Sequence, residues 1–295
     1  MQIIDGKLVS ETIKTQLAEK VTELKALGKK VPHLAAILVG DNPASETYVA
    51  SKVKSCAAIG YNSTLLRFDA QISEKHLLDH ITSLNENADI DGILVQLPLP
   101  KHISEELVIN TIDPSKDVDG FHPVNVGKMV SGLPTFIPAT PYGIMLLLEH
   151  YQIPTKGKHA VVIGRSHIVG TPMSILLSRN SYPGNCTVTI CHSHTTNLKD
   201  ICLQADIIVA AIGRPDFVTA DMVKEGAVII DVGINRVADA TRKSGTRLVG
   251  DVDFKAVEQK ASFITPVPGG VGPMTIAALL KNTYHASQGQ KVKMN

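Results

Sequence analysis

The sequence predicts an α/β protein of two lobes, an N-terminal domain on a parallel sheet and a Rossmann-like second domain. Three observations lead there. Near-continuous apolar runs alternate with helix-like stretches, as parallel sheets covered on both faces require. The alternation lapses over residues 113–140 and then resumes, dividing the chain. The resumed series opens with a strand, a glycine turn and a helix, in the manner of a dinucleotide-binding unit. A chain of 295 residues has room for two such domains.

Residues 10–27 place Ile13, Leu17, Val21 and Leu24 on one helical face, and Gly28 is the stop signal. HLAAILVG (33–40) is a strand buried on both faces, broken by Asp41-Asn42-Pro43. A helix follows from about Ser45 to Ile59, closed by Gly60. A strand over 63–68 leads to a helix capped by Ser73 and ending near Leu84. The next strand, 92–97, stops at Pro98 and Pro100. DPSKDVDGFHPVNVG, within 113–140, reads as the passage between domains. Thr140 as N-cap and Pro141 at the first helical position begin a helix to about His150. Strands at 160–163, 187–190, 206–211 and 227–231 complete the second series. The expected domains are 1–138 and 139–273, with a helix over 274–295 packing back on the first.

Composition excludes several classes. The 29 basic and 28 acidic residues leave a net charge of +1, unlike a nucleic-acid surface. No apolar run is long enough to span a bilayer, and MQIIDGKLVS carries no secretory pattern. Cys56, Cys186, Cys191 and Cys202 contain no CxxC pair, which favours reduced thiols in the cytoplasm. His192 and His194 beside Cys191 lack a second ligand pair, so no metal site is expected.

Three candidate sites stand out. In TPVPGGVGPMT (265–275) prolines remove donors and glycines permit positive φ. No helix or strand is expected through it; one rigid loop, the wall of a ligand cleft, is. The second is HAVVI followed by Gly164, Arg165 and Ser166, where a helix N-terminus offers free N–H groups to a diphosphate. Its second strand ends Cys191-His192-Ser193-His194, without the acid that binds an NAD ribose. Arg165 and Ser193 can take a 2′-phosphate instead, which favours NADP. The third lies beyond strand ends of the first lobe. Tyr48 and Lys52, at i and i+4, share a helix face that suits a flat aromatic ligand with a charge to manage. Gln96 in VQLPLP is an amide in an apolar strand that needs a partner. Asp119, in KDVDGF, is a turn aspartate beside them in sequence order.

These segments resemble the bifunctional methylenetetrahydrofolate dehydrogenase/methenyltetrahydrofolate cyclohydrolase family from end to end. The shared stretches are DNPASETYVASK, DGILVQLPLP, DVDGFHPVNVG, VVIGRSHIVGTPM, VIIDVGIN and TPVPGGVGPMT. The resemblance implies a homodimer and a folate lying in a cleft between lobes. Tyr48 would stack on its aminobenzoate ring and Asp119 would bond the pterin, with Val95, Gln96 and Leu97 beside them. Pro268, Gly269, Gly270 and Gly272 would form the facing wall, and Ile234 would join the cofactor site. Hydride passes from the methylene bridge to NADP⁺, leaving a methenyl cation that water then opens to 10-formyltetrahydrofolate. Lys52 suits that second step, because a cationic substrate disfavours another positive charge and lets the amine accept a proton. Gln96 would hold Lys52 or the water without adding charge. The competing expectations are another two-lobe NADP dehydrogenase acting on shikimate or a hydroxy acid, a non-catalytic NADP-responsive regulator, and a monofunctional member of the family.

Overall fold

A computed structural model describes residues 1–242 and 245–292. Its elements run β1 (Gln2–Ile3), α1 (Gly6–Ala26), β2 (His33–Val39), α2 (Pro43–Ile59) and β3 (Asn62–Phe68). Next come α3 (Glu74–Glu86), β4 (Gly92–Val95), α4 (Glu105–Thr111), α5 (Pro123–Val130) and α6 (Ala139–His150). The series continues with β5 (His159–Ile163), α7 (Gly170–Ser178), β6 (Thr187–Cys191), α8 (Leu198–Leu203) and β7 (Ile207–Ala210). It closes with β8 (Val228–Asp231), β9 (Asn235–Ala238), β10 (Thr246–Val249), α9 (Phe254–Val257), β11 (Phe263–Ile264) and α10 (Val271–Ser287). Two compact units result, one of residues 11–139 and 276–292, the other of residues 1–10 and 140–275.

The first unit carries a parallel sheet in the order β3-β2-β4. Every residue of β2 after His33 is buried, as an apolar run in a central strand should be. Leu77 and Ile81 of α3 pack on Ala35, Ile37 and Ile93 of that sheet. Helix α2 begins at Pro43 rather than Ser45, because the Asn42 side chain accepts from the amides of Ala44 (3.0 Å) and Ser45 (3.2 Å). Lys116 closes the other end of α3, its Nζ donating to the carbonyls of Leu84 (3.0 Å), Asn85 (2.7 Å) and Asn87 (2.7 Å).

The stretch expected as a passage between domains belongs to this unit and is ordered by one carboxylate. Asp117 is buried and accepts from the amides of Gly120 (3.1 Å), Phe121 (3.2 Å) and His122 (2.8 Å), and from Asn125 Nδ2 (2.8 Å). That network starts α5, a helix too short and too rich in turn residues to show periodicity.

The second unit carries a six-stranded sheet, β1-β11-β8-β7-β5-β6, whose pairings are all parallel. An antiparallel hairpin of β9 and β10 stands apart from it. Residues 1–10, expected with the first domain, join this unit because Gln2 and Ile3 pair with Phe263 and Ile264. Two helix starts also differ from expectation. Asp5 caps α1 through the Leu8 amide (3.0 Å), so the helix begins at Gly6, four residues before the expected Ser10. Thr140 lies inside α6, its hydroxyl bonded to that of Thr275 (3.0 Å) instead of capping.

The loop at 265–275 is shorter than its composition suggests, since α10 starts at Val271 and takes in Gly272 and Pro273. The expected start at Met274 missed that first turn, where Pro is tolerated, and residues 293–295 lie outside the described residues. Removing the α3 stop tests the account of the first unit. Lys116→Met is expected to lower stability by about 1–2 kcal/mol, seen as a reduced denaturant midpoint by circular dichroism.

Candidate functional site

In parallel sheets ligands gather beyond the carboxyl ends of the strands. Two groups of candidate residues lie there, one in each unit.

In the first unit α2 leaves the end of β2 and presents Tyr48 and Lys52 one turn apart. Lys52 is only 6% exposed, and its Nζ donates to Gln96 Oε1 at 3.2 Å. Gln96 follows β4 directly, its amide N–H held by Ile37 O (2.9 Å). The orientation of its side chain is set from the other side, since Nε2 donates to Leu97 O (2.8 Å). Oε1 therefore faces the ammonium, and the sequence-predicted partnership of Lys52 and Gln96 is a direct contact. Among the described residues no carboxylate lies within ion-pairing range of Lys52. A buried ammonium with a neutral partner is a costly arrangement that a fold keeps for chemistry. Burial also raises the Tyr48 phenol above its ordinary value, so it stays a neutral donor.

A parallel bridge from Ile93 to Asp117 carries the segment holding Asp119 along β4 toward its Gln96 end. Asp119 is half-buried. Asp117 is the residue missed here: burial pushes its carboxyl up, while Asn125 and the backbone amides of His122 and Phe121 pull it back. Its signal was an Asp three places before a glycine, the pattern of a side chain closing its own turn.

In the second unit Gly164 ends β5 at φ +125°, and a Cβ there would collide with Ala211 O. A Cβ at Gly170 would collide with Gly164 O, so the first turn of α7 sits directly on the strand end. The Ser166 hydroxyl accepts from Val169 (3.2 Å) and Gly170 (3.4 Å) and its carbonyl from Thr171 (3.0 Å), so the amides expected to be free at the start of α7 are already bonded within the turn. Ile163 pairs with Cys191 and Gly164 N donates to Cys191 O (2.8 Å). This register brings Arg165 and Ser193, both exposed, to neighbouring strand ends. The turn after β6 is closed by His192 N to Thr195 Oγ1 and Thr195 N to His192 O, each 2.8 Å.

Ile234, 42% exposed, reaches toward Gly272, where a Cβ would come within 3.4 Å of its Cδ1. Together with Pro268, Gly269, Gly270 and Gly272 it lines a cavity of about 120 Å³. Residues predicted for substrate and for cofactor thus share one wall. Sequence reading missed what lies behind it. Lys7 N donates to Gly269 O (2.9 Å), Ser10 Oγ to Pro273 O (3.0 Å), and a Cβ at Gly6 would run into Gly270 O.

Two family models match the chain in succession. Residues 4–119 match the tetrahydrofolate dehydrogenase/cyclohydrolase catalytic domain and residues 138–291 its NAD(P)-binding domain. The bifunctional protein FolD of Cytophaga hutchinsonii is 61% identical over 287 residues, covering 97% of this chain and 99% of its own. That of Flavobacterium psychrophilum is 59% identical over 292 residues, 99% of each. Among solved structures, the Campylobacter jejuni bifunctional enzyme FolD superposes with a TM-score of 0.91 at 49% identity, over 98% of this chain and 99% of that one. The Trypanosoma brucei methylenetetrahydrofolate dehydrogenase-cyclohydrolase, complexed with NADP cofactor and inhibitor, gives 0.92 at 38% over 97% of each. With both domain models matched in order and relatives of this identity along nearly its whole length, the chain belongs to the tetrahydrofolate dehydrogenase/cyclohydrolase family.

Proposed function

We propose that this protein oxidises 5,10-methylenetetrahydrofolate to the 5,10-methenyl compound with NADP⁺ and hydrolyses that to 10-formyltetrahydrofolate. The observation that carries the reading is the buried Lys52 ammonium held by a neutral amide alone. A methenyl folate is a delocalised cation, and a buried carboxylate partner would lock the lysine in its charged form. Gln96 instead accepts from Lys52 without adding charge, and the amine would take the proton of the attacking water. Tyr48 supplies a flat, neutral surface for the aminobenzoate ring, and Asp119 supplies an acceptor for the pterin. Val95 and Leu97 flank the amide, while Pro268, Gly269, Gly270 and Gly272 form an apolar wall for the ring system.

The nucleotide elements suit NADP⁺: the close backbone approach at Gly164 and Gly170 and the exposed Ser166 hydroxyl suit a diphosphate beside α7, and the end of β6 holds no acid. Arg165 and Ser193 would take the 2′-phosphate, with Ile234 beside the nicotinamide. When bound, this cofactor supplies the hydride acceptor for the first step. That step asks the protein for positioning more than for a base, because the substrate nitrogen lone pair drives hydride loss. Family membership supports a homodimer. Four free, buried thiols, Cys56, Cys186, Cys191 and Cys202, support a reducing cytoplasm.

Lys52→Met separates the two activities. Cyclohydrolase turnover, followed as loss of methenyl absorbance, is expected to fall at least about 100-fold while NADPH formation persists. An unchanged cyclohydrolase rate would remove Lys52 from the chemistry, and a fall in hydride transfer alone would make it a positioning group. Arg165→Ala is expected to weaken NADP⁺ binding about tenfold or more, with little effect on NAD⁺, as read by calorimetry. Equal losses for both nucleotides would place the 2′-phosphate elsewhere.

A further inference from the structure

Two buried carboxylates of the second unit have no part in the chemistry above. Asp251 accepts from three consecutive amides, Ile212 (2.8 Å), Gly213 (2.9 Å) and Arg214 (2.9 Å), and from Asn235 Nδ2 (2.9 Å). Successive N–H groups of this kind form a concavity that binds anions. Here the protein fills it with its own side chain. Asp231, the last residue of β8, accepts from the amides of Gly233 (2.9 Å), Asp251 (2.9 Å) and Val252 (3.0 Å). The backbone of Asp251 therefore hangs from Asp231, and the segment after β7 hangs from the side chain of Asp251. Glycines make this possible, since a Cβ at Gly250 would strike the Asp231 carboxylate and one at Gly233 the Asp251 carboxylate.

Both ends of this relay reach the nucleotide elements. Ile212 Cγ2 lies 3.6 Å from where a Gly164 Cβ would stand, so the segment after β7 backs the glycine turn. Gly233, bonded to Asp231, immediately precedes Ile234 of the cavity wall. We propose that Asp231 and Asp251 are positioning residues, a two-carboxylate relay that sets segments 212–214 and 233–235 for the nucleotide cofactor. The inference rests on the assignment of this unit to NADP⁺.

The relay has a built-in pH dependence. Burial pushes the Asp231 carboxyl up to about 7 against the pull of its three amides, and the Asp251 charge adds to the rise. The other ionisable groups around it are Asp216, Asp253, Arg247 on β10 and Lys255 on α9, which line a cavity of about 380 Å³ with Asp231. Above that value the carboxylate makes charge-assisted bonds to the amides; below it the neutral carboxyl, the form burial favours, makes ordinary ones.

The test compares wild type with Asp231→Asn by calorimetric Kd for NADP⁺ between about pH 6 and about pH 8.5, with amide hydrogen exchange on the ligand-free proteins. At the alkaline end the variant is expected to bind at least about fivefold more weakly, with faster exchange at 212–214 and 233. The ratio of the two constants should then close toward one at the acid end, where the wild-type carboxyl is itself neutral. The cofactor's own phosphate titrates alike with both proteins and cancels. A ratio that is constant with pH, or one throughout, overturns the relay. Should Asp231→Asn not fold, Asn235→Ala removes a single donor from Asp251; it is expected to raise Kd at least about threefold and speed exchange at 212–214. No change in either overturns the proposal. A wild type that does not bind NADP⁺ would refute the functional assignment instead, and the exchange rates would still decide whether the relay holds the segments.

Discussion

The contact on which the proposed chemistry of the first unit depends is Lys52 Nζ against Gln96 Oε1 at 3.2 Å. Taking an ammonium out of water costs several kcal/mol even after relaxation, and one hydrogen bond to a neutral amide returns about 1.5–3. Stability alone would favour an apolar residue at this position. The packing of α2 on the sheet, through Val49 and Cys56 at 0% exposure, supplies the free energy that holds the lysine where it is. Gln96 is held in turn by two backbone contacts, its N–H donating to Ile37 O on one side and its Nε2 to Leu97 O on the other. The pair is thus placed by the sheet and leaves most of the ammonium's donor capacity open.

Buried carboxylates receive the opposite treatment. Asp117 and Asp251 each take four donors and Asp231 takes three, nearly all of them backbone amides. Such groups tie irregular segments that have no ladder of their own, and each stands just after a strand or its extension. The sign of the charge matters. Strand ends and helix starts expose N–H groups, which an aspartate satisfies at short range and a lysine cannot. Acids therefore form the framework of these loops, while Lys52 is held by a neutral amide.

This explains what was legible in the sequence. Central strands announce themselves through unbroken apolar runs, and Tyr48 with Lys52 could be grouped because one helical turn separates them, whereas Gln96 as a partner of Lys52 or of the water came from the family resemblance. The loop at 113–139 resisted the same reading. Its order comes from Asp117 and from Asn282, whose Nδ2 donates to Val118 O (2.8 Å) and Ile137 O (3.0 Å) across more than a hundred residues of chain. No periodicity records such a bond. The two-residue strands β1 and β11 were invisible for a related reason: their pairing is parallel and distant, and two residues carry no alternation. Asp231 looked like the polar end of a strand, and only the amides that converge on it reveal its role.

The glycine- and proline-rich loop shows how the missed and the visible features depend on each other. Prolines narrow the shapes available to residues 265–270, and Gly269 at φ +112° supplies the one that L side chains rarely adopt. Those local preferences do not by themselves hold the loop against thermal motion, and its side-chain anchor near the start is Thr265 Oγ1, which accepts from Asp231 N (2.7 Å). The rest of the anchoring comes from the other end of the chain, where the first turn of α1 donates to Gly269 O and Pro273 O and leaves no room beside Gly270. Strand β1 fixes that turn by joining the sheet edge at β11, the strand that leads into the loop. The short strand, the glycine at position 6 and the wall of the cavity therefore form one mechanical unit, and the first ten residues belong to the site although none of them lines it.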